Sequence, residues 1–300
     1  MKVRRVYAAA VLAAALSAAG CASNVENEGG GVGTPSPGAA TFSLDSVQKD
    51  DALAGQVDDR IKSDSKLVVG TDPTYEPSEF KDGSGKIVGF DVDLGSAIAK
   101  KLGLTAEFQE SKFDAILPAL GTRYEIGMSS FTDNPEREKV VDFVTYFNAG
   151  TQWASKDKSF DPNNPCGKKV SVQTGTVQDT DDLPARQKKC AANAMQIQRY
   201  DDQAEATNAV VLGKADAVLA DSPVMAGAVK KVGGSLSLVG EVYDAAPYGI
   251  AIPKNAGTTR DAILGAVKAL VADGTYKAIL DKWGVSSGAI TDPVINGAKG

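Results

Sequence analysis

Strand-like and helix-like segments alternate along most of this 300-residue chain, in two successive sets. The first set opens with an apolar strand over residues 66–71. A helix follows from Gly89-Phe90-Asp91-Val92-Asp93-Leu94, with an aspartate as its expected cap and Leu94, Ile98 and Leu102 on one face. Residues 105–109 and 125–129 read as strands around a short helix at 114–120, and 147–155 is extended. In the second set, strands at 169–173, 195–199 and 215–220 alternate with helices at 176–189, 201–212 and 222–232. A short strand at 236–239, an extended run at 248–252 and helices at 258–274 and 276–283 close the body. Leu264, Val267 and Val271 share one face of the first closing helix. The alternation argues an α/β protein with mostly parallel sheets, and its duplication argues two lobes.

Ligands in such sheets sit beyond the carboxyl ends of the strands. Asp72, Ser130, Thr132, Gly175-Thr176 and Asp221 all follow strand-like segments. The richest stretch is Gly127-Met128-Ser129-Ser130-Phe131-Thr132-Asp133-Asn134-Pro135-Glu136-Arg137. Hydroxyls, free backbone groups and a guanidinium fork brought together suit one small carboxylate. Taken alone, these residues also fit an ordinary loop with a surface arginine.

The first residues bound location. Lys2, Arg4 and Arg5 precede an apolar or small-residue stretch over 6–19, too short to span a bilayer comfortably. It ends in Ala18-Ala19-Gly20-Cys21, small residues before a cysteine as in a lipobox, although Ala18 stands where leucine is more common. Residues 1–20 are expected to be a lipoprotein signal peptide and Cys21 the lipidated anchor to the membrane. An ordinary signal peptide with an incidental cysteine is the alternative. Acyl chains on Cys21 would suffice for stable anchoring. Residues 22–41, rich in glycine and proline and without lysine or arginine, cannot bury apolar surface and read as a disordered tether. Twenty such residues reach about 25 Å. Within the wider 21–62 segment, Leu53, Val57 and Ile61 allow a short amphipathic helix.

Without Lys2, Arg4 and Arg5, 29 basic residues face 38 acidic ones, and no basic block stands out, so nucleic acid is not an expected partner. Cys166 and Cys190 remain after Cys21, and two cysteines in an exported chain most often pair. That bridge would close a loop of about 25 residues, worth roughly 3 kcal/mol. The chain has no histidine, which removes zinc sites of the usual kind and both Ser-His-Asp and Cys-His machinery. No metal and no cofactor is expected, and an enzyme here would have to use carboxylates, lysine or tyrosine.

Four stretches, in order and spacing, carry a resemblance. They are Val69-Gly70-Thr71-Asp72-Pro73-Thr74-Tyr75-Glu76-Pro77, Gly89-Phe90-Asp91-Val92-Asp93-Leu94, the Gly127–Arg137 run continuing to Asp142-Phe143, and Ala215-Asp216-Ala217-Val218-Leu219-Ala220-Asp221. Gln173-Thr174-Gly175-Thr176 and Lys282-Trp283-Gly284 also fit. Over residues 66–285 the chain resembles the family 3 extracellular solute-binding proteins, the amino-acid receptors of ABC importers. The resemblance implies a two-lobed periplasmic-binding-protein-like fold of type II, with two hinge strands near Gln152 and Gly249. Lobe one would span 63–152 and 249–290, lobe two 153–248, and 291–300 would form a tail.

The resemblance also implies roles. Arg137, with the Thr132 hydroxyl, would grip an α-carboxylate, joined by backbone N–H groups at Thr176 and Val177. Asp221, with the Ser130 carbonyl, would take the α-ammonium. Tyr75 and Phe113 would sandwich the ligand side chain, though Phe113 could equally be core. Asp72 would meet the side-chain tip. A carboxylate there favours a tip that donates hydrogen bonds: arginine, lysine, ornithine or glutamine. Asp91 and Asp93 are expected to cap a helix, and Glu76 to point away. The expected function is capture of a polar L-amino acid, basic slightly ahead of glutamine, by hinge closure, and delivery to an ABC permease with its ATPase subunit. The protein would act as an extracytoplasmic, lipid-anchored monomer. The alternatives are a lipoprotein that presents its amino acid to a sensor, or a dehydratase or cell-wall lytic enzyme on the same fold.

Overall fold

The computed structural model describes residues 42–298. The expected signal segment 1–20, Cys21 and the tether through residue 41 lie outside the described residues. Among the described residues, no helix is long and apolar enough to cross a membrane.

The described residues run through α1 (Asp51–Gly55), α2 (Asp59–Asp64), β1 (Lys66–Thr71), β2 (Thr74–Tyr75), β3 (Glu79–Lys81), β4 (Ile87–Val88) and α3 (Phe90–Lys101). It continues with β5 (Thr105–Glu110), α4 (Phe113–Ile116), β6 (Ile126–Gly127), α5 (Pro135–Glu138) and β7 (Val141–Ser155). Then come β8 (Lys169–Gln173), α6 (Leu183–Lys189), β9 (Gln196–Tyr200), α7 (Gln203–Val211), β10 (Ala217–Asp221) and α8 (Ser222–Val232). The long strand β11 (Ser237–Pro253), α9 (Thr258–Ala272) and α10 (Thr275–Trp283) complete the body.

Eight strands share one sheet in the order β5-β1-β6-β11-β7-β10-β8-β9, with β2-β3-β4 as a small second sheet. β5, β1 and β6 are parallel to one another, as are β10, β8 and β9. Between these triplets β7 and β11 run antiparallel over nearly their whole length. They are the two hinge strands of a two-lobed type II fold, and each parallel triplet is the sheet of one lobe. Two apolar clusters pack around β5-β1-β6, and two others around β10-β8-β9. Tyr75 belongs by sequence to the first lobe but joins a cluster of the second, so it reaches across the cleft.

The local reasons match the patterning. Leu94, Ile98 and Leu102 on α3 are buried at four-residue spacing. On α9 the buried stripe is Ile263, Val267 and Leu270, with Leu264 and Val271 half-buried at its edge, a face rotated from the expected one. The segment expected to be one helix over 176–189 is split: a π turn at Gln178–Asp182 precedes α6, whose first turn contains Pro184. The separate strands expected at 236–239 and 248–252 are one strand, β11, broken by register shifts.

The folded body begins before Lys66. Val47, Ala54, Val57 and Ile61 are buried in the first lobe. Asp58 N–H donates to Thr259 Oγ1 at 2.9 Å, so this segment packs on α9 as two short helices. Cys166 and Cys190 form a disulfide in the second lobe, tying the approach to β8 to the end of α6.

Candidate functional site

The cleft between the lobes holds a small cavity. Tyr75, Phe113, Ser130, Thr132 and Arg137 line it from the first lobe, and Thr176, Val177, Gln178 and Asp221 from the second. In this structure the lobes are drawn together, and the cavity encloses about 10 Å³, room for about one water. A vestibule of about 590 Å³ adjoins it, sharing Thr132 and Val177 and reaching the disulfide.

Each wall has a local cause. Ser130 follows β6 in a left-handed conformation, φ +51°. Its N–H donates to Asp91 Oδ2 at 3.0 Å, and the Tyr146 hydroxyl donates to the same oxygen at 2.8 Å. Asp91 is therefore no helix cap. Gly89 occupies the cap position of α3, and Asp91 sits within the first turn, fully buried, as the support of the Ser130 bend. Asp93 instead accepts from the Trp283 indole at 2.7 Å, fastening α10 to α3. Arg137 lies in α5, whose cap is Asn134: its Oδ1 accepts from Arg137 N–H at 2.8 Å. On the second lobe, Gly175 turns the chain after β8 at φ +79°. A Cβ there would stand 2.9 Å from Asp114 Cβ of the first lobe, so glycine serves both the turn and the approach of the lobes. Asp221 ends β10 and starts α8 without capping it, because its carboxylate points into the cavity.

The electrostatics divide the cavity into two ends. Arg137 is half-buried as a residue, but its guanidinium lies against two rings, 5.5 Å from the Phe113 centre and 5.7 Å from that of Phe131. It donates to the Thr132 carbonyl at 2.9 Å and, across the cleft, to the Gly175 carbonyl at 3.0 Å. Burial pushes the guanidinium down to about 10, with Asp221 and then Asp181 opposing. The Asp221 carboxylate accepts from the hydroxyls of Tyr75 at 2.9 Å and Tyr248 at 2.7 Å, and from Gln178 Nε2 at 2.8 Å. Burial pushes this carboxyl up, while those three donors and the Arg137 charge favour its ionised form. One cationic fork and one carboxylate thus face a common cavity, each bonded to neutral groups.

Asp72 stands at the other end, outside the lining itself. Its Oδ2 accepts from Phe113 N–H at 3.1 Å and, from the second lobe, from Gln173 Nε2 at 2.8 Å. The Gln173 side-chain oxygen is buried without a hydrogen-bond partner. Phe113 stacks on Phe131 with ring centres 4.6 Å apart, so it is both core and cavity wall. Thr176 Oγ1 donates to the Gln173 carbonyl at 2.8 Å and so closes the turn. Lys112–Asp202 and Lys231–Glu76 ion pairs flank this end across the cleft.

Eight of the nine residues expected to touch a ligand line the cavity, and Asp72 adjoins it. Three more were not assigned a role from sequence: Gln173, Gln178 and Tyr248. Gln173 and Gln178 flank the Gly175-Thr176 turn, and Tyr248 is a polar aromatic at the start of the apolar run 248–252, which are the signals available for them. No lining residue is a glutamate. Glu79 lies behind the cavity, buried and accepting from Ser129 Oγ at 2.8 Å. Among the described residues no group of three or more metal-ligating side chains is gathered.

Comparison with known proteins agrees with this architecture. Residues 67–286 match the family model described as bacterial extracellular solute-binding proteins, family 3. An arginine-binding protein, ArgT, of Corynebacterium glutamicum is 40% identical over 238 residues, 77% of this chain and 78% of that protein. The L-cystine-binding protein TcyJ of Escherichia coli is 30% identical over 232 residues, 75% of this chain and 84% of that protein. The solved structure of an ancestral arginine-binding protein bound to arginine superposes with a TM-score of 0.69 at 36% identity, over 73% of this chain and 98% of that one. The chain belongs to the bacterial extracellular solute-binding proteins, family 3.

Proposed function

We propose that this protein captures a basic L-amino acid, arginine foremost, and delivers it to the permease of an ABC importer. The observation that carries the reading is the pairing of Arg137 with Asp221 in one interlobe cavity that has Asp72 and Gln173 at its far end. A zwitterion offers its carboxylate to the guanidinium and its ammonium to Asp221, replacing neutral partners by charge-assisted ones. A guanidinium tip then meets the Asp72 carboxylate and the unpartnered Gln173 oxygen. Tyr75 and Phe113 supply the apolar walls along its stem. The names of the arginine-binding relatives support the same choice.

The mechanism is binding by hinge motion. The enclosed space admits about one water, so an amino acid enters only when the lobes part about β7 and β11. A bound ligand bridges the lobes and favours the closed form by its differential contacts, and the closed form docks on the permease. Cys21 would anchor the protein at the outer face of the membrane. A thermal-shift panel of single amino acids tests the ligand. Arginine at a hundredfold excess over its Kd should stabilise the protein by about 2.7 kcal/mol. Stabilisation by glutamate, with no response to arginine or glutamine, would overturn the assignment of Asp72 to the side-chain tip.

A further inference from the structure

The loop over residues 132–138, which carries Thr132 and Arg137, has little structure of its own. Its single helical element, α5, is four residues long. One set of contacts comes from β11: Asp133 N–H donates to the Pro247 carbonyl at 2.8 Å. A second set comes from residues 294–298, which lie antiparallel to the start of β7. Thr145 N–H donates to the Val294 carbonyl at 2.9 Å, and Val294 N–H donates to Thr145 Oγ1 at 2.9 Å. Asn296 N–H donates to the Phe143 carbonyl at 2.9 Å, while Asn296 Oδ1 accepts from Phe143 N–H at 2.9 Å.

Asn296 is left-handed, φ +54°, and there the segment turns from β7 onto the loop. Gly297 N–H donates to Asp133 Oδ2 at 2.7 Å, and Ala298 N–H to Glu138 Oε1 at 3.2 Å. The turn is tightly seated: a Cβ on Gly297 would stand 2.8 Å from Thr145 Cγ2. Asp133 is 2% exposed, and its other oxygen has no hydrogen-bond partner. Burial, then Glu138, pushes the Asp133 carboxyl up to about 7, and the Gly297 amide opposes this. Asp133 and Glu138, on either side of Arg137 in the loop, therefore each accept an amide from the same distant segment.

We propose that residues 294–298 are a positioning element for the carboxylate clamp. They fix the 132–138 loop so that Thr132 and Arg137 are set before a ligand arrives, and preorganisation of this kind raises affinity by lowering the ordering cost of binding. Asp133 and Glu138 touch no ligand and act through Arg137. The proposal rests on the reading of the cavity as an amino-acid site.

The experiment compares L-arginine with L-argininamide, which lacks the carboxylate, by calorimetry on the full chain and on Asp133→Ala, Asp133→Asn and a chain stopped after Pro293. Asp133→Ala should weaken arginine about tenfold and argininamide less than about twofold. Asp133→Asn keeps an oxygen for the Gly297 amide and should stay near the unaltered protein. The stopped chain should follow Asp133→Ala. Equal weakening of both ligands marks a merely structural role and overturns the proposal, as does no weakening. If the full chain binds neither ligand, the reading of the cavity fails, and hydrogen exchange of the 134–138 amides decides the bracing separately. Faster exchange in Asp133→Ala supports it, and unchanged exchange overturns it.

Discussion

Affinity for arginine should fall in acid, with a profile set by Asp72. This residue is 2% exposed, and burial, with the Asp202 charge acting the same way, pushes its carboxyl up to about 6. The Thr74 and Phe113 hydrogen bonds and the Lys112 charge only partly offset that. A guanidinium beside the carboxyl favours its ionised form and holds it below the usual range, so binding expels the proton. Above about pH 6 the carboxyl is already ionised and nothing is lost. Below it, each pH unit costs about tenfold in affinity, about 1.4 kcal/mol. Affinity at pH 5 should thus be about a tenth of that at pH 8. Calorimetry across this range, in two buffers of different ionisation enthalpy, reads both the affinity and the released proton. Asp72→Asn should weaken arginine at pH 8 and flatten the profile. Glutamine, whose neutral tip does not require an ionised Asp72, should show a shallower pH dependence than arginine, with Asp221 carrying what remains. Arginine affinity unchanged between pH 8 and pH 5, or no proton release near pH 6, would refute the reasoning.

Three further outcomes follow from the geometry. Gly175→Ala should lower stability by about 1–2 kcal/mol through its left-handed backbone, and its Cβ, 2.9 Å from Asp114 Cβ across the cleft, should hinder closure and so weaken ligand binding by calorimetry while the protein still folds. Replacing Cys166 and Cys190 by serine opens the bridged loop and should lower the urea-unfolding free energy by about 3 kcal/mol, with ligand affinity nearly unchanged. Burial pushes the neighbouring Glu79 and Asp91 carboxyls up, so the stability contributed by their protonated forms is complete in acid and is lost as pH rises through their folded values. The urea midpoint of Asp91→Asn should therefore depend less on pH between 5 and 8 than that of the unaltered protein.

The sequence made most of the cavity wall legible. Ser130, Thr132 and Asp221 follow strands, where polar residues have little to do in a core, so position marked them, whereas Arg137 stood out as the guanidinium that follows the hydroxyl-rich run. Gln173, Gln178 and Tyr248 were not legible, because their partners lie 101, 43 and 27 residues away and belong to other elements. Asp91 shows the same limit: at a helix start it reads as a cap, and only the fold brings the Ser130 amide and the Tyr146 hydroxyl to it. The parallel triplets were visible as alternating patterns. The fusion of their sheets through β7 and β11 was not, since β11 is broken by register shifts between Val239 and Gly249 that interrupt its apolar run. The segment 294–298 has no periodicity, and its contacts with the clamp loop depend on one left-handed asparagine.

The most direct test is calorimetric titration of ligand-stripped protein with L-arginine, set beside Arg137→Ala. The unaltered protein should bind saturably, one to one. The variant should lose about 2–5 kcal/mol, a factor of about thirty or more, because a desolvated charge-assisted contact disappears. Unchanged affinity in Arg137→Ala would contradict the carboxylate clamp, and failure of the unaltered protein to bind arginine would contradict the proposed ligand.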